Sequence, residues 1–280
     1  MAHLALSRLG TRGPDVAYSV ADKAIRAYAE ATDDPSPAAL AGRTATPVFA
    51  IVPVWEAIDP ASRAVADDEA CTKVVHYAQD LILHRPIESG MKLVSRATPV
   101  ALLQRSSGTS LVIHTETTTE NGSLVNEQFI TEFFRGIDAG ESQGDAPPDH
   151  RLPDDVKAQI PLAEITLSVA EDQADRYANA SGDHFEIHLD DEAARRVGLP
   201  GRILHGLCTL AFTARSVCES AGIADPSALR RIAARFSSPV FPGDSLTTHV
   251  WEIEPGIYGY EATCGEDRVV IKDGRVELAS

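Results

Sequence analysis

SVADKAIRAYAEATDD (Ser19–Asp34) and SVAEDQADRYANASGD (Ser168–Asp183) are one segment written twice, 149 residues apart. Seven of the sixteen positions are identical without a gap: the Ser-Val-Ala start, Tyr28/Tyr177, two alanines and Asp34/Asp183. Farther on, PIESGMKL (Pro86–Leu93) matches PVFPGDSL (Pro239–Leu246) at Pro, Gly and Leu with an offset of 153. Two matches in the same order at nearly the same offset mark a duplicated chain, and a repeat constrains the architecture before any single element is read.

The stretch between the copies fits that division. Residues 137–160, IDAGESQGDAPPDHRLPDDVKAQI, are rich in Gly, Pro and Asp with little apolar periodicity, as in a linker. The expected organisation is a first repeat over 1–136, a linker over 137–160 and a second repeat over 161–280. A length of 280 residues suits two domains of about 130. Each copy shows a short strand (Val16–Ser19; Ile165–Val169), a helix running to the shared Asp, an apolar stretch and then long strands. Ser110–Glu120 and Ser123–Arg135 flank Asn121-Gly122, a hairpin turn. In the second copy the strands are Arg231–Ser237, Ser245–Glu254, Ile257–Cys264 and Val269–Val276, and Ile203–Ala221 reads as a helix apolar on most sides. The architecture this predicts is α+β: an antiparallel sheet curled around a helix, twice. In the first copy the apolar stretch Pro47–Ile58 is shorter and carries Pro53, which disfavours a long helix and predicts an apolar groove in its place.

The copies diverge after the shared Asp. Asp183 is followed by His-Phe-Glu-Ile-His, so that His188 lies five residues on, whereas Asp34 is followed by Pro-Ser-Pro-Ala-Ala and Ala39 takes the position of His188. A carboxylate and an imidazole that reach one water can take a proton from it and return a proton to carbon near neutral pH. The segment carrying them is too short for a regular element, as expected of a loop held by a rigid scaffold. Beyond Pro200-Gly201 a helix begins, and the first-turn amides near Gly206 are free to receive an oxyanion. In isolation an Asp-x4-His is uninformative, since the Asp can serve as a cap and the His as a satisfied core residue. The duplication supplies the contrast.

Other chemistries are disfavoured. His184, His188 and His205 lie close in sequence with Glu186 and Asp190, but their spacing lacks a zincin's Glu and a thiol pair, so no metal is expected. No Gly-x-Ser-x-Gly elbow is present. The net charge of −16 is shared by both copies, which excludes a general nucleic-acid surface. Arg230, Arg231 and Arg235 lie in an acid-free segment, 226–243, and are the candidates for an anionic ligand. Cys71, Cys208, Cys218 and Cys264 are scattered without a CxxC pair, as in a reduced cytoplasmic protein. No run approaches 18 apolar residues, and the N-terminus lacks the apolar core of a signal peptide, so neither a membrane span nor export is expected.

YANASGDHFEIHLDDEAARRVGLPGRILHGLCTLAF (Tyr177–Phe212) closely resembles the signature of MaoC-like, R-specific enoyl-CoA hydratases. That signature joins Ser-Gly-Asp to a His five residues after the Asp, then an Ala-x3-Gly helix and a His-Gly-Leu helix start. ARFSSPVFPGDSL (Ala234–Leu246) resembles the strand and turn that follow, while YAEATDDPSP (Tyr28–Pro37) and LHRPIESGMKL (Leu83–Leu93) resemble the degenerate partner repeat of double-hotdog members. The resemblance implies a double hotdog whose N-terminal central helix is short or degenerate. It implies hydration of trans-2-enoyl-CoA to (3R)-3-hydroxyacyl-CoA, or the reverse, without a cofactor. Asp183 and His188 would activate the water and the Gly206 amide would polarise the thioester carbonyl. Apart from the resemblance, Phe185, His205 and the three arginines are the candidate substrate contacts, with a hydrogen bond at the helix start as the plainer reading of His205. By analogy with double-hotdog relatives the chain would form a homodimer. A non-catalytic acyl-CoA-binding subunit and a hotdog thioesterase are the alternatives. The family has Asn-Pro where this chain has Phe185-Glu186, and Glu186 would raise the pKa of Asp183 if the two were close. His76-Tyr77-Ala78-Gln79 stands where many relatives have His-Gly-Glu-Gln.

Overall fold

A computed structural model describes residues 2–265 and 268–279. Its strands are β1 (Val16–Ser19), β2 (Val74–Leu83), β3 (Lys92–Arg105), β4 (Gly108–Thr119), β5 (Leu124–Arg135), β6 (Ala163–Ser168), β7 (Leu229–Phe236), β8 (Ser245–Glu254), β9 (Ile257–Cys264) and β10 (Arg268–Leu278). The helices are α1 (Asp22–Ala31), α2 (Pro37–Leu40), α3 (Trp55–Val65), α4 (Asp68–Cys71), α5 (Asp154–Lys157), α6 (Gln173–Ser181), α7 (Asp191–Arg196) and α8 (Gly206–Ser220). None is long and apolar enough to cross a membrane.

Contacts group the chain into two units. One holds the chain up to Ser19 with Pro53–Arg85 and Met91–Asp149. Its antiparallel strands run in the order β1-β3-β4-β5-β2. The β4–β5 hairpin turns at Asn121-Gly122, where Gly122 takes a left-handed φ of 82° that costs glycine little. Pro47–Val54 forms a 3-10 helix around Pro53, and the α-helical hydrogen bonding of α3 begins only beyond it, against β3 and β4. The apolar stretch of the first copy is therefore helical in two registers that meet just past Pro53, while α3 carries a second proline, Pro60, within its own run.

The other unit holds Val20–Val52, Pro86–Gly90 and the chain from His150 onward. Its antiparallel strands run β7-β10-β9-β8-β6. Helix α8 packs against β6, β7, β8 and β9 and buries eleven of its fifteen residues. Its polar members survive burial by bonding to their own helix: Thr213 Oγ1 donates to the Leu210 carbonyl at 3.0 Å and Ser216 Oγ to that of Phe212 at 3.1 Å.

The duplication is visible in backbone bonds. Gly90 N donates to Val20 O at 2.8 Å, and Gly243 N to Val169 O at 3.0 Å. Ala45 N donates to Ile87 O at 2.8 Å, and Leu204 N to Val240 O at 2.7 Å. After α1 the chain turns left-handed at Asp33, φ 49°, and after α6 it does so at the equivalent Gly182, φ 86°.

Candidate active site

Gly182 ends α6 and swings Asp183 inward, where the residue is 8% exposed. The Phe185 amide donates to Asp183 Oδ1 at 3.1 Å, closing an Asx turn that fixes the carboxylate. Residues Glu186–His188 then make one 3-10 turn, which brings the His188 ring back toward Asp183. His188 Nδ1 lies 2.9 Å from the Ile203 carbonyl. A carbonyl only accepts, so Nδ1 carries the proton and Nε2 keeps its lone pair. His205, the residue before α8, places Nε2 3.0 Å from the Asp183 carbonyl and stacks on His188, ring centroids 3.9 Å apart and planes 25° from parallel. A carboxylate oxygen of Asp183 and one ring nitrogen each from His188 and His205 all lie within 4.8 Å of one another.

Electrostatically the pair is poised toward neutrality. Burial raises the Asp183 pKa above the ordinary carboxylate range, partly opposed by the charge of His188 and by the Phe185 amide. Burial lowers the His188 pKa, partly opposed by Asp183. His205 is pushed down to about 3, first by burial and then by the charge of His188.

Gly206 opens α8, and its amide, at the first helical position, has no acceptor within the helix. A Cβ there would meet the Phe236 ring at 3.3 Å. The helix start, the carboxylate and the imidazole thus form one constellation, in which Asp183, His188, His205 and Gly206 lie together. Three donor-bearing residues this close raise the question of a metal. Stacked imidazoles send their lone pairs along parallel, offset planes, so two nitrogens cannot both reach one ion at about 2.0–2.1 Å without unstacking. His184 turns outward and is exposed.

The other candidates lie differently. Phe185 is 57% exposed, with its ring 6.4 Å from that of His188. Glu186 pairs with Arg196 at 3.7 Å on the surface, and burial, not this charge, is what raises Asp183. The segment of the three arginines is acid-free in sequence but not in space, because β10 runs beside β7. Arg231 pairs with Glu277 at 3.1 Å and Arg235 with Asp273 at 3.6 Å. Arg230 donates to the carbonyls of Ser227 and Leu229. Sequence reasoning missed the Ile203 carbonyl that sets the His188 tautomer, since any residue type supplies a carbonyl. It also missed the contact of Tyr177 with this cluster: its ring lies 4.8 Å from that of His205, at a position the repeat had already singled out.

The first copy keeps half of this arrangement. The Ser36 amide donates to Asp34 Oδ1 at 2.8 Å, as the Phe185 amide does to Asp183, and burial likewise raises the Asp34 pKa. Ala39 supplies no imidazole, and Pro47, which opens the 3-10 helix as Gly206 opens α8, supplies no N–H.

Residues 154–273 match the MaoC like domain and residues 42–136 the MFE-2 hydratase 2 N-terminal domain. Over 218 residues the chain is 36% identical to 3-hydroxyacyl-thioester dehydratase Y of Mycobacterium tuberculosis, covering 74% of this chain and 73% of that one. Over 195 residues it is 30% identical to a probable enoyl-CoA hydratase 2 of Dictyostelium discoideum, covering 69% and 66%. The structure superposes on a MaoC-like dehydratase from Phytophthora capsici with a TM-score of 0.84 at 21% identity, over 99% of both chains. The fold is the double hotdog that the sequence resemblance implied, α+β in class. With both repeats matched in order and a relative above 30% identity over most of its length, the chain belongs to the MaoC-like hydratase/dehydratase family.

Proposed function

We propose that the protein catalyses reversible hydration of trans-2-enoyl-CoA to (3R)-3-hydroxyacyl-CoA, with Asp183, His188 and the Gly206 amide as its catalytic groups. The observation that carries this is the buried Asp183–His188 pair beside the open first turn of α8. The relatives named enoyl-CoA hydratase and 3-hydroxyacyl-thioester dehydratase support the substrate class.

In this reading a water sits between Asp183 and His188 Nε2. Its oxygen attacks C3 of the enoyl thioester as one of the pair takes its proton. The electron pair of the double bond moves toward the thioester carbonyl, whose growing charge the Gly206 amide stabilises. A proton returns to C2 from the pair, so that water is added across the bond and the protein ends as it began. Dehydration runs the same steps backward. The first repeat, 1–136, with no imidazole at Ala39, serves the acyl tail, and the second, 161–280, supplies the chemistry. Phe185 stands at the rim on the substrate side of the site, and the buried His205 lies behind Asp183 and His188. Arg230, Arg231 and Arg235 are the proposed contacts for the CoA phosphates. The reading includes a homodimer and a cytoplasmic setting, the latter supported by four free thiols.

Purified protein given crotonyl-CoA and a chain-length series of trans-2-enoyl-CoA thioesters is expected to consume enoyl absorbance without releasing free CoA. Thiol release would indicate a thioesterase, and binding without turnover an acyl-CoA-binding subunit.

A further inference from the structure

We propose that His205 is a positioning residue, the side chain that fixes Asp183 and His188 relative to each other; this rests on the hydratase reading above. The ring is 1% exposed and touches every part of the site. Its Nε2 donates to the Asp183 carbonyl at 3.0 Å, one face lies on His188 at 3.9 Å, and Tyr177 packs against it at 4.8 Å. Its own backbone leads into Gly206. One residue thereby ties the acid's backbone, the imidazole's plane and the amide at the helix start into a single geometry. A buried ring in this place contacts catalytic groups rather than solvent, and outer partners of this kind typically govern rate by holding the reacting groups in register.

Its protonation state follows from the bonds. Nε2 carries the hydrogen because it faces a carbonyl, and Nδ1, buried with no partner among the described residues, is the lone-pair nitrogen. A second proton would leave a buried N–H without an acceptor and set a cation against His188. The titratable groups around the ring are Asp183 and the exposed His184 from the loop, His188 from the 3-10 turn and Tyr177 from α6. Of these the two histidines oppose protonation, and the hydrogen bond to the Asp183 backbone carbonyl favours it.

The first copy acts as an internal control. Gly42-Arg43-Thr44-Ala45-Thr46-Pro47 aligns with Gly201-Arg202-Ile203-Leu204-His205-Gly206, an alignment anchored by the equivalent Ala45 and Leu204 backbone bonds. Thr46 therefore stands where His205 stands, in the copy where Ala39 stands for His188. The positioning ring is missing from the copy that has no imidazole to position.

His205→Phe keeps a buried ring and removes the donor, whereas His205→Gln keeps a donor and removes the stack. His205→Phe is expected to lower kcat by about 10–100-fold, with KM within about threefold, and His205→Gln to recover part of that loss. As the loop around Asp183 loosens, water reaches His188 and its titration moves up toward its ordinary value, carrying the acid limb of kcat/KM with it. Histidine 15N NMR on the wild type is expected to show His205 as the neutral Nε2–H tautomer across pH 5–7. A His205→Phe enzyme with wild-type kcat and an unmoved acid limb overturns the proposal. So does a rise in KM at constant kcat, which marks a substrate contact, or a His205 that titrates in this range. If His205→Phe does not fold, the His205→Gln enzyme decides by the same readouts. If the wild type hydrates no enoyl thioester, the hydratase reading fails on its own. The NMR titration of His188 in wild type and variant still judges positioning, and an unchanged midpoint overturns it.

Discussion

Tyr28 and Tyr177 hold the same position in the two copies, and they touch each other: their hydroxyls are 3.4 Å apart and their rings meet edge-on at 5.6 Å. A residue that contacts its own equivalent marks a two-fold relation, here between α1 and α6. The relation is local to the helices that lead to Asp34 and Asp183, so the two carboxylates form a matched pair of which one has an imidazole neighbour.

The first prediction uses that match. Asp183→Asn and His188→Ala are each expected to reduce kcat by at least ~10², while Asp34→Asn leaves kcat within about twofold. The assay is loss of enoyl absorbance on crotonyl-CoA. Full activity in both second-copy variants would remove them from the mechanism, and a collapse with Asp34→Asn would mean that the first copy is not silent.

The second concerns the amide of Gly206. Proline is accepted at the first position of a helix, and the preceding residue, His205, is already extended with ψ 134°, as a residue before proline must be. Pro47 occupies this position in the first copy. Gly206→Pro is expected to fold with a modest loss of melting temperature from crowding against Phe236, and to lose about 10²–10³ in kcat because the amide proposed to receive the oxyanion is gone. Near-normal turnover would show that the carbonyl is polarised elsewhere.

The third follows from the His188 shift. Burial lowers its pKa from 6.5, so the ring stays neutral, with Nε2 able to accept a proton, to a lower pH than an exposed histidine. The acid limb of kcat/KM is expected below pH 6.5. A midpoint at or above that value would contradict a desolvated base.

The fourth is a stability prediction in the other unit. Burial raises Glu132 to about 7 and lowers His76, its cross-strand partner, to about 4. Between pH 4.5 and 7 native Glu132 binds more protons than the unfolded chain, so its contribution falls as pH rises, by up to about 3 kcal/mol. Native His76 binds fewer protons than the unfolded chain between pH 4 and 6.5, so its contribution rises over that window. The two slopes oppose each other across most of the range. Glu132→Gln is expected to expose the His76 slope, with the melting temperature climbing on the order of 5 °C from pH 4.5 to 6.5 relative to wild type. Parallel melting curves for the two proteins would refute it.

The fifth concerns the arginines. Reversing Arg230, Arg231 or Arg235 to Glu is expected to raise KM for acyl-CoA by about tenfold, more than for the same acyl group on a thiol without phosphates. Equal changes for both substrates would assign these residues to the sheet, where Glu277 and Asp273 already hold two of them.

Much of this was legible in the residues because duplication compares the chain with itself. The strands from Ser245 to Cys264 fall where the turn residues put them. β8 alternates in burial up to Val250, whereas β9 is buried at five consecutive positions and is legible from the turns at Pro255-Gly256 and Gly265 that bound it. Asp183 and His188 emerged because Ala39 supplied the contrast. The helix expected at Ile203 begins three residues later: across Ile203 to His205 the Ile203 carbonyl receives His188, the Leu204 amide bonds to Val240 and the His205 ring reaches the Asp183 carbonyl. The acidic partners of the arginines come from β10, far along the chain, and no local window contains them. Glu186 looked close to Asp183 by numbering, but one helical turn of difference sends it outward to Arg196.

Arg176 from α6 reaches Asp33 at 2.8 Å and the carbonyl of Glu30 at 2.8 Å, while Arg215 from α8 caps the Asp33 carbonyl at 2.5 Å. The left-handed turn that glycine makes unaided in the second copy is thus held, in the first, by cations lent from its twin. Such a debt runs one way. Separation at the linker would take both cations away from that turn, leaving a left-handed aspartate without the side chains that hold it.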